Sequence, residues 1–297
     1  MRSKTKVCAS MEGFARFCLD FYFFGFFLGI RNILFNGFKL GLKKTVGKIL
    51  QPINHPSRFV EHFMIWRHLS HLGTARSCIL DVSSPKLLAL FLANRQNSLI
   101  AATDLLAEYL RESQVLRVLL RDRKSRLAFE SSDACLLCHP ANCFDAVYSI
   151  SVIEHIPNEG DLIALKELMR VVKPGGLLLF TVPFGPLFRE HYGNCDVYER
   201  KYIGKPVFIF RTYDLTHLKD LLHALDQTAA LEELIGICEI TSYSKVFDRL
   251  HENLRGLLGA LSLPVALLNY EIVHIKANSP PTLPSRFFCL FVALRKL

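Results

Sequence analysis

Residues 144–157 read FDAVYSISVIEHIP, and residues 168–183 read LMRVVKPGGLLLFTVP. The first stretch opens with a short apolar run at 144–149, which predicts a buried strand, and the second closes with another at 177–182. Between the two runs, residues 159–172 show helical periodicity, which stops at a Lys-Pro-Gly-Gly turn. This order predicts two parallel strands joined by a right-handed crossover.

The same alternation of strand and helix extends toward the N-terminus. Apolar runs predict strands at 78–82, 98–103 and 127–130, and helical patterns occupy 85–94 and 105–111. Alternation of this kind is typical of the α/β class with a doubly wound sheet. After Pro183 the predicted elements are an insert at 184–211, a helix at 213–225, a strand at 234–247, a helical region at 249–269, a loop at 277–285 and a last strand at 287–294.

The composition is that of a globular protein. The chain has 297 residues, of which 51% are hydrophobic, and this is enough for one large domain or two smaller ones. Its nine cysteines are an odd number without regular spacing. We therefore expect a reducing compartment, the cytoplasm, rather than a disulfide framework.

The positive charge is concentrated at the N-terminus. The chain carries a net charge of +9, of which residues 1–50 account for +7. The rest of the chain is nearly neutral, which argues against a nucleic-acid groove, and no nucleic-acid partner is expected.

The same N-terminal region contains seven phenylalanines between residues 14 and 27. We interpret residues 1–70 as a basic, Phe-rich helical arm and residues 71–297 as the main domain. The longest stretch of the arm without a charge, 21–30, is shorter than the roughly 20 apolar residues that a spanning helix needs. A clean membrane span is therefore not expected, and only a short one that tolerates Arg16 and Asp20 as an ion pair is compatible with the sequence. Two alternatives stay open for residues 1–50: a helix peripheral on an anionic membrane, or a helix packed on the domain or on a second copy in a homodimer.

Asp81, Asp104 and Asp133 lie at or just after the carboxyl ends of the first three predicted strands. Together with these acids, the two stretches at 144–157 and 168–183 resemble class I S-adenosylmethionine-dependent methyltransferases. Within that family the similarity is to the small-molecule methyltransferases of ubiquinone and menaquinone biosynthesis, and it covers about residues 75–295. The resemblance implies a mostly parallel seven-stranded sheet with an antiparallel last strand. It also implies S-adenosylmethionine as cofactor and a small-molecule, lipid-like or glycan acceptor, including one carried on a lipid.

The resemblance further implies which residues bind the cofactor. It places Asp104 at the ribose hydroxyls, Asp133 at the adenine amino group, and the residues after the fourth strand at the methionine end. The full set is Asp81, Ser83, Ser84, Asp104, Ser132, Asp133, Ala134, Ser149 and Ser151. Asp104 has an alternative role as the N-cap of the following helix, which is compatible with ribose binding.

One loop departs from the family pattern. The family carries an acid followed by alternating glycines, whereas residues 81–88 read DVSSPKLL. Ser83 and Ser84 are small and Pro85 suits the first turn of a helix, so backbone amides can still face a cofactor. The alternative is a non-catalytic methyltransferase-like protein that has lost the cofactor and acts as a scaffold. A nicotinamide-dependent oxidoreductase is disfavoured because the G-x-G-x-x-G turn is absent.

Three residues are candidates for proton transfer. Glu154 and His155 follow the fourth strand, and a histidine titrates near neutral pH. Their alternative roles are a capping carboxylate and a packed ring. His191 lies in the insert at 184–211, which is either a lid over the substrate or a surface hairpin.

Cys135, Cys138 and His139 match the C-x-x-C-H pattern of haem attachment, and Cys143 extends it. No second cysteine pair completes a set of four zinc ligands. We therefore interpret these residues as loop cysteines and expect no metal.

Overall fold

The computed structural model describes residues 5–37, 55–72, 76–120, 126–195, 202–241, 262–275 and 287–297. Its helices are α1 (Thr5–Asn36), α2 (Ser57–Leu69), α3 (Leu87–Arg95), α4 (Ala107–Arg117), α5 (Gly160–Val171), α6 (Leu215–His223) and α7 (Ser262–Asn269). Its strands are β1 (Cys78–Val82), β2 (Leu99–Asp104), β3 (Leu127–Ser131), β4 (Phe144–Ile150), β5 (Val172–Pro183), β6 (Arg189–Cys195), β7 (Tyr202–Thr212), β8 (Ala229–Glu239), β9 (Tyr270–His274) and β10 (Phe287–Lys296).

Eight of these strands form one sheet in the order β3-β2-β1-β4-β5-β10-β8-β9. Strands β1 to β5 are parallel, and β10 is antiparallel to both of its neighbours. The predicted class, a doubly wound α/β sheet with an antiparallel last strand and an N-terminal helix, is confirmed. The described sheet has eight strands rather than seven because β9 pairs with the outer edge of β8.

The central strands are buried on both faces, as expected for a parallel sheet covered by helices. Strand β5 begins at Val172 rather than at residue 177, so it includes the Lys-Pro-Gly-Gly segment. There, Gly175 has a φ of +76°, and a Cβ on Gly176 would lie 2.8 Å from the backbone oxygen of Asp145. The backbone conformation therefore favours glycine at position 175, and the close backbone contact requires it at position 176.

The insert at 184–211 is a β-hairpin formed by β6 and β7. Strand β8 begins at Ala229 rather than at residue 234. Parts of other predictions fall outside the described residues: 242–247 of the predicted strand, 249–261 of the predicted helical region, and the whole loop 277–285.

One face of α1 belongs to the core. Phe14, Phe17 and Phe21 are almost completely buried. The ring of Phe17 lies 5.0 Å from that of Trp66 in α2, and the ring of Phe21 lies 5.2 Å from that of Phe91 in α3. Burying each of these rings contributes about 1.5–3 kcal/mol. The face of α1 that contains these three phenylalanines therefore packs on the domain, which is one of the two alternatives left open for residues 1–50.

The opposite face of α1 is apolar and exposed. Leu19, Phe23, Phe27, Leu34 and Phe35 are between 43% and 73% exposed. By length and composition alone, residues 12–36 are able to cross a membrane, and 39% of their most apolar part is buried inside the structure. A core helix meets the same length and composition criteria, so this finding does not by itself indicate a membrane span.

A buried carboxylate ties α2 to the sheet. Glu61 Oε2 accepts hydrogen bonds from Ser151 Oγ at 2.7 Å and from Thr181 Oγ1 at 2.9 Å. The same oxygen lies 3.0 Å from Arg58 Nη1, and the Glu61 side chain is 4% exposed. Helix α2 is therefore fixed over the carboxyl ends of β4 and β5.

We expect the Glu61→Ala substitution to lower the free energy of unfolding by about 3 kcal/mol, because it leaves a half-buried guanidinium and two hydroxyls without their acceptor. Urea denaturation measures the loss. The control is Arg95→Ala, which removes the exposed contact of 4.0 Å between Arg95 and Asp20 and should cost less than about 1 kcal/mol. Equal losses in the two variants would contradict the anchoring role of Glu61.

Candidate active site

The carboxyl ends of β1 and β4 meet where the sheet changes its direction of growth. Strands β2 and β3 lie on one side of β1, and β4 and β5 lie on the other. Open α/β sheets bind ligands at such a point. The turns that follow β1 and β4 are left-handed at Ser83 (φ +54°) and Ser151 (φ +49°). This conformation costs a non-glycine residue about 1–2 kcal/mol, and such strain collects at binding sites.

Two serines hold these strand ends together. Ser84 Oγ accepts a hydrogen bond from the backbone N–H of Ile150 at 2.9 Å, and Ser149 Oγ donates to the backbone oxygen of Val82 at 3.2 Å. Both serine side chains are buried. Polar side chains therefore cross-link the loop after β1 to β4.

A cavity of about 1230 Å³ opens at this point, with walls from the loops after β1 to β4 and from α1 and α2. The predicted site residues that line it are Ser83, Ser84, Asp104, Asp133, Ala134, Ser151 and His155. The other predicted site residues, Asp81, Ser132, Ser149, Glu154 and His191, do not belong to its lining.

Asp104 ends β2 and has two contacts. Its Oδ1 accepts from the backbone N–H of Leu106 at 3.0 Å, and its Oδ2 lies 3.7 Å from Lys86 Nζ. Helix α4 begins directly afterwards, at Ala107. The N-cap of α4 is Leu106, without a side-chain cap, so the predicted N-cap role of Asp104 is wrong, whereas its place in the cavity lining is compatible with ribose binding.

Asp81 lies below the cavity floor. Its side chain is fully buried, and its Oδ1 accepts from the backbone N–H of Ser84 at 3.0 Å and lies 3.5 Å from Lys86 Nζ. Burial raises the pKa of Asp81 to about 6, although the charge of Lys86 and the hydrogen bonds from Ser84 oppose the shift. Asp81 supports the loop from beneath.

Asp133 follows β3 at the exposed rim, and its Oδ1 accepts from the backbone N–H of Cys135 at 2.8 Å. Ala134 beside it is buried. The backbone N–H of Ser132 donates to the backbone oxygen of Asp104 at 3.2 Å. Ser132 therefore links the ends of β2 and β3, and the carboxylates of Asp104 and Asp133 line the same cavity.

Glu154 and His155 are neighbours with different surroundings: the side chain of Glu154 is buried outside the cavity lining, whereas His155 lines the cavity. Burial raises the pKa of Glu154 to about 8, so this side chain is protonated at neutral pH. His155 lines the cavity, its Nδ1 donates to the backbone oxygen of Ile209 at 2.8 Å, and burial lowers its pKa. A neutral ring that donates through Nδ1 has Nε2 as its acceptor nitrogen, and this atom lies 3.8 Å from Glu154 Oε1.

The side chain of His191, on β6, contacts β7 of the hairpin and does not line the cavity. Its Nε2 lies 2.9 Å from Thr212 Oγ1, and its ring stacks on that of Phe210 at 4.2 Å. The hairpin instead braces the rim of the cavity, since the buried Arg211 donates to the backbone oxygens of Ile156, at 2.6 Å, and Asn158.

The cavity has further polar residues that were missed in the sequence, among them Arg58 and His62 of α2, and Lys86 before α3. Burial lowers the pKa of His62 to about 4, so its ring is neutral, and its Nδ1 contacts the backbone oxygen of Arg58. A basic residue inside the loop at 81–88 is a signal that could have indicated Lys86. No local pattern marks the other two, because α2 reaches the cavity only in the folded chain.

Near the end of β3, the side chains of Glu130, Cys138 and His139 bring possible metal-ligand atoms within 4.8 Å of one another. His139 Nε2 lies 3.0 Å from Glu130 Oε2. Two residues of the C-x-x-C-H segment, Cys138 and His139, therefore lie close to the carboxylate of Glu130, and His139 pairs with this carboxylate.

Residues 80–180 match the family model described as a methyltransferase domain. The matched segment contains the ends of β1 to β4 that build the cavity. Residues 80–180 are a class I S-adenosylmethionine-dependent methyltransferase domain. The match confirms the predicted family and, with it, S-adenosylmethionine as the cofactor of the methyltransferase domain.

Individual proteins resemble this chain more distantly. Phosphoethanolamine N-methyltransferase 2 of Caenorhabditis elegans is 27% identical over 113 residues, which are 38% of this chain and 23% of that protein. The chain thus aligns with about a quarter of that relative. The crystal structure of the MccD protein matches with a TM-score of 0.50 and 17% identity over 79% of this chain and 97% of that chain. Phosphoethanolamine N-methyltransferase 2 of Haemonchus contortus, crystallised with S-adenosyl-L-methionine, matches with a TM-score of 0.44 and 17% identity over 77% of this chain and 52% of that chain.

The donor and acceptor chemistry of the methyltransferase domain fits its cofactor. Ribose hydroxyls and the adenine amino group donate hydrogen bonds, and the cavity offers the carboxylates of Asp104 and Asp133 as acceptors. The left-handed turn at Ser83 keeps the backbone shape that a glycine ordinarily provides at this loop. This loop differs from the glycine pattern by a further residue, Lys86, which adds a buried positive charge.

Glu154 makes the stability of the fold depend on pH. Its pKa is raised from 4.5 to about 8 in the folded state, so unfolding releases a proton between these values. The free energy of unfolding therefore falls as the pH rises through this range. The Glu154→Gln variant keeps the neutral form, and we expect its stability to change less with pH in urea denaturation.

The matched control is Glu12→Gln, which replaces an exposed glutamate of α1 and should keep the slope of the wild type. A slope that is the same in Glu154→Gln and in the wild type would show that Glu154 is not protonated in the folded state.

Proposed function

We propose that this protein transfers the methyl group of S-adenosylmethionine to a small, lipid-like acceptor. The observation that carries the proposal is the convergence of Asp104 and Asp133, from two neighbouring strands, on one cavity beside the strained turns at Ser83 and Ser151. Acceptor groups at adjacent parallel strand ends suit a nucleoside that donates from both its ribose and its base.

The residues of the chain have distinct parts in this reaction. Asp104 accepts from the ribose hydroxyls and Asp133 from the adenine amino group. The bound cofactor supplies an electrophilic methyl group on a sulfonium sulfur. The protein therefore has to align the acceptor and remove its proton. His155 lines the cavity as a neutral ring held through Nδ1, and its Nε2 is the proposed proton acceptor.

The N-terminal arm supplies a further wall of the cavity. Gly25, Leu28 and Gly29 lie on one face of α1 and line it, as do Arg58 and His62 of α2. An apolar wall beside a guanidinium and a neutral imidazole suits a molecule with an apolar chain and a polar head. This supports a lipid-like acceptor, and a glycan carried on a lipid has the same two parts.

Binding of S-adenosylmethionine, measured by isothermal titration calorimetry, tests the cofactor site. We expect the wild type to bind, and Asp104→Asn to bind at least about tenfold more weakly, because a charge-assisted hydrogen bond is lost. The control is Asp220→Asn, an exposed acid on α6, which should leave the affinity unchanged. A folded wild-type protein that binds no cofactor at millimolar concentration would overturn the proposal and favour the non-catalytic alternative.

We further propose that the exposed face of α1 rests on an anionic membrane surface, with the protein in the cytoplasm. Leu19, Phe23 and Phe27 recur every four residues along this face, and an exposed apolar patch of this kind supports an interaction surface. In the sequence, Lys39, Lys43, Lys44 and Lys48 follow the helix, and such a basic segment is attracted to anionic headgroups. Because the inner face of the same helix lines the cavity, a membrane-borne acceptor would be close to its binding site.

Co-sedimentation with vesicles that contain phosphatidylserine tests this surface. We expect the double variant Phe23→Ser, Phe27→Ser to lower the partition coefficient at least about tenfold, because two exposed aromatic rings no longer enter the lipid. The control is Leu231→Ser on β8, which removes an apolar side chain that is 44% exposed and should keep wild-type binding. Absence of vesicle binding, together with a dimer that the double variant disrupts, would instead identify α1 as a contact between two copies.

A further inference from the structure

Lys86 brings a positive charge to the cofactor end of the cavity. Its Nζ lies 3.5 Å from Asp81 Oδ1 and 3.7 Å from Asp104 Oδ2, and it donates to the backbone oxygen of Ser84 at 2.8 Å. The Lys86 side chain is 6% exposed, and the residue lines the cavity. An ammonium group therefore stands between the ends of β1 and β2.

This ammonium is the counter-ion of both acids. In the part of the chain that the structure describes, Lys86 alone among lysines and arginines forms an ion pair with Asp81 or Asp104. Asp81 is completely buried, and a buried carboxylate needs a paired cation or hydrogen-bond donors to stay ionised. The position of Lys86 is thus fixed by two negative charges and a backbone carbonyl.

The backbone explains how the lysine reaches this place. Ser83 takes the left-handed conformation that a glycine adopts without strain. Lys86 comes directly before α3, which begins at Leu87, and its side chain turns back across the loop. Counted from Asp81, the alternating glycines of the family pattern fall at positions 83, 85 and 87, so Lys86 lies between two of them and adds a charge without replacing a glycine.

We propose that Lys86 is a tethered cation that makes the cofactor site select its ligand by charge. S-adenosylmethionine carries a net positive charge because of its sulfonium, and S-adenosylhomocysteine, which remains after methyl transfer, is neutral overall. Asp81 and Asp104 attract the positively charged ligand, and the ammonium between them weakens this attraction, so Lys86 lowers the affinity for that ligand relative to the neutral one. The inference rests on the proposed function and adds a residue that sets the balance between cofactor and product.

Calorimetric titration of the full-length protein with each of the two ligands tests the role of Lys86. The Lys86→Met variant removes the charge at similar side-chain length, and Lys86→Arg keeps the charge. We expect Lys86→Met to tighten the binding of S-adenosylmethionine about tenfold relative to S-adenosylhomocysteine. The Lys86→Arg variant should keep the ratio of the two Kd values within about twofold of the wild type. Sinefungin, which carries an ammonium group in place of the sulfonium, should follow S-adenosylmethionine.

The outcomes separate this inference from the proposed function. If Lys86→Met binds both ligands with the wild-type ratio of affinities, the inference is wrong and the proposed function stands. If neither ligand binds to the folded wild type or to any variant, the proposed function fails and the inference fails with it.

Circular dichroism checks that each variant is folded. Should Lys86→Met not fold, Lys86→Gln also removes the charge, and it keeps a donor for the backbone oxygen of Ser84. The same change in the ratio of affinities is expected for it, and an unchanged ratio would again overturn the inference.

Discussion

The cavity of this methyltransferase domain depends on the buried carboxylate of Glu61. It accepts hydrogen bonds from Ser151 and Thr181, beside the carboxyl ends of β4 and β5, and it pairs with Arg58 on its own helix. Because α2 packs against the aromatic face of α1, this one contact holds two helices over the strand ends. An open groove at the edge of a parallel sheet thereby becomes a cavity with an apolar wall.

The loop after β1 shows how a glycine turn can be replaced. Ser83 takes the left-handed conformation itself, Ser84 and Ser149 cross-link β1 to β4, and Lys86 balances two acids. The backbone thus keeps its shape while the electrostatics of the site change. Lys86 adds a cation beside the two acids of this site, and this changes how the site distinguishes ligands that differ in charge.

Predictions from the sequence held where the signal was local. Apolar runs and helical periodicity located β4, α5 and β5, although β5 includes the Pro-Gly-Gly segment that was predicted as a turn. Acids at predicted strand ends identified Asp104 and Asp133 as cavity residues. His191 was chosen for its position in the insert, but pairing of β6 with β7 turns it toward Thr212. Glu154 follows β4 as expected, yet burial keeps it away from the cavity and protonated.

Sequence alone specified the order of strands and helices and the acids at their ends, since periodicity and turn chemistry involve residues that are neighbours in the chain. Tertiary structure decided that the arm closes the cavity and that Lys86 serves both Asp81 and Asp104. The contact between Glu61 and Ser151 joins residues 90 positions apart. This hydrogen bond, like the ion pairs of Lys86, is strong because folding removes water from the charged groups. No local sequence pattern indicates which charged groups become buried.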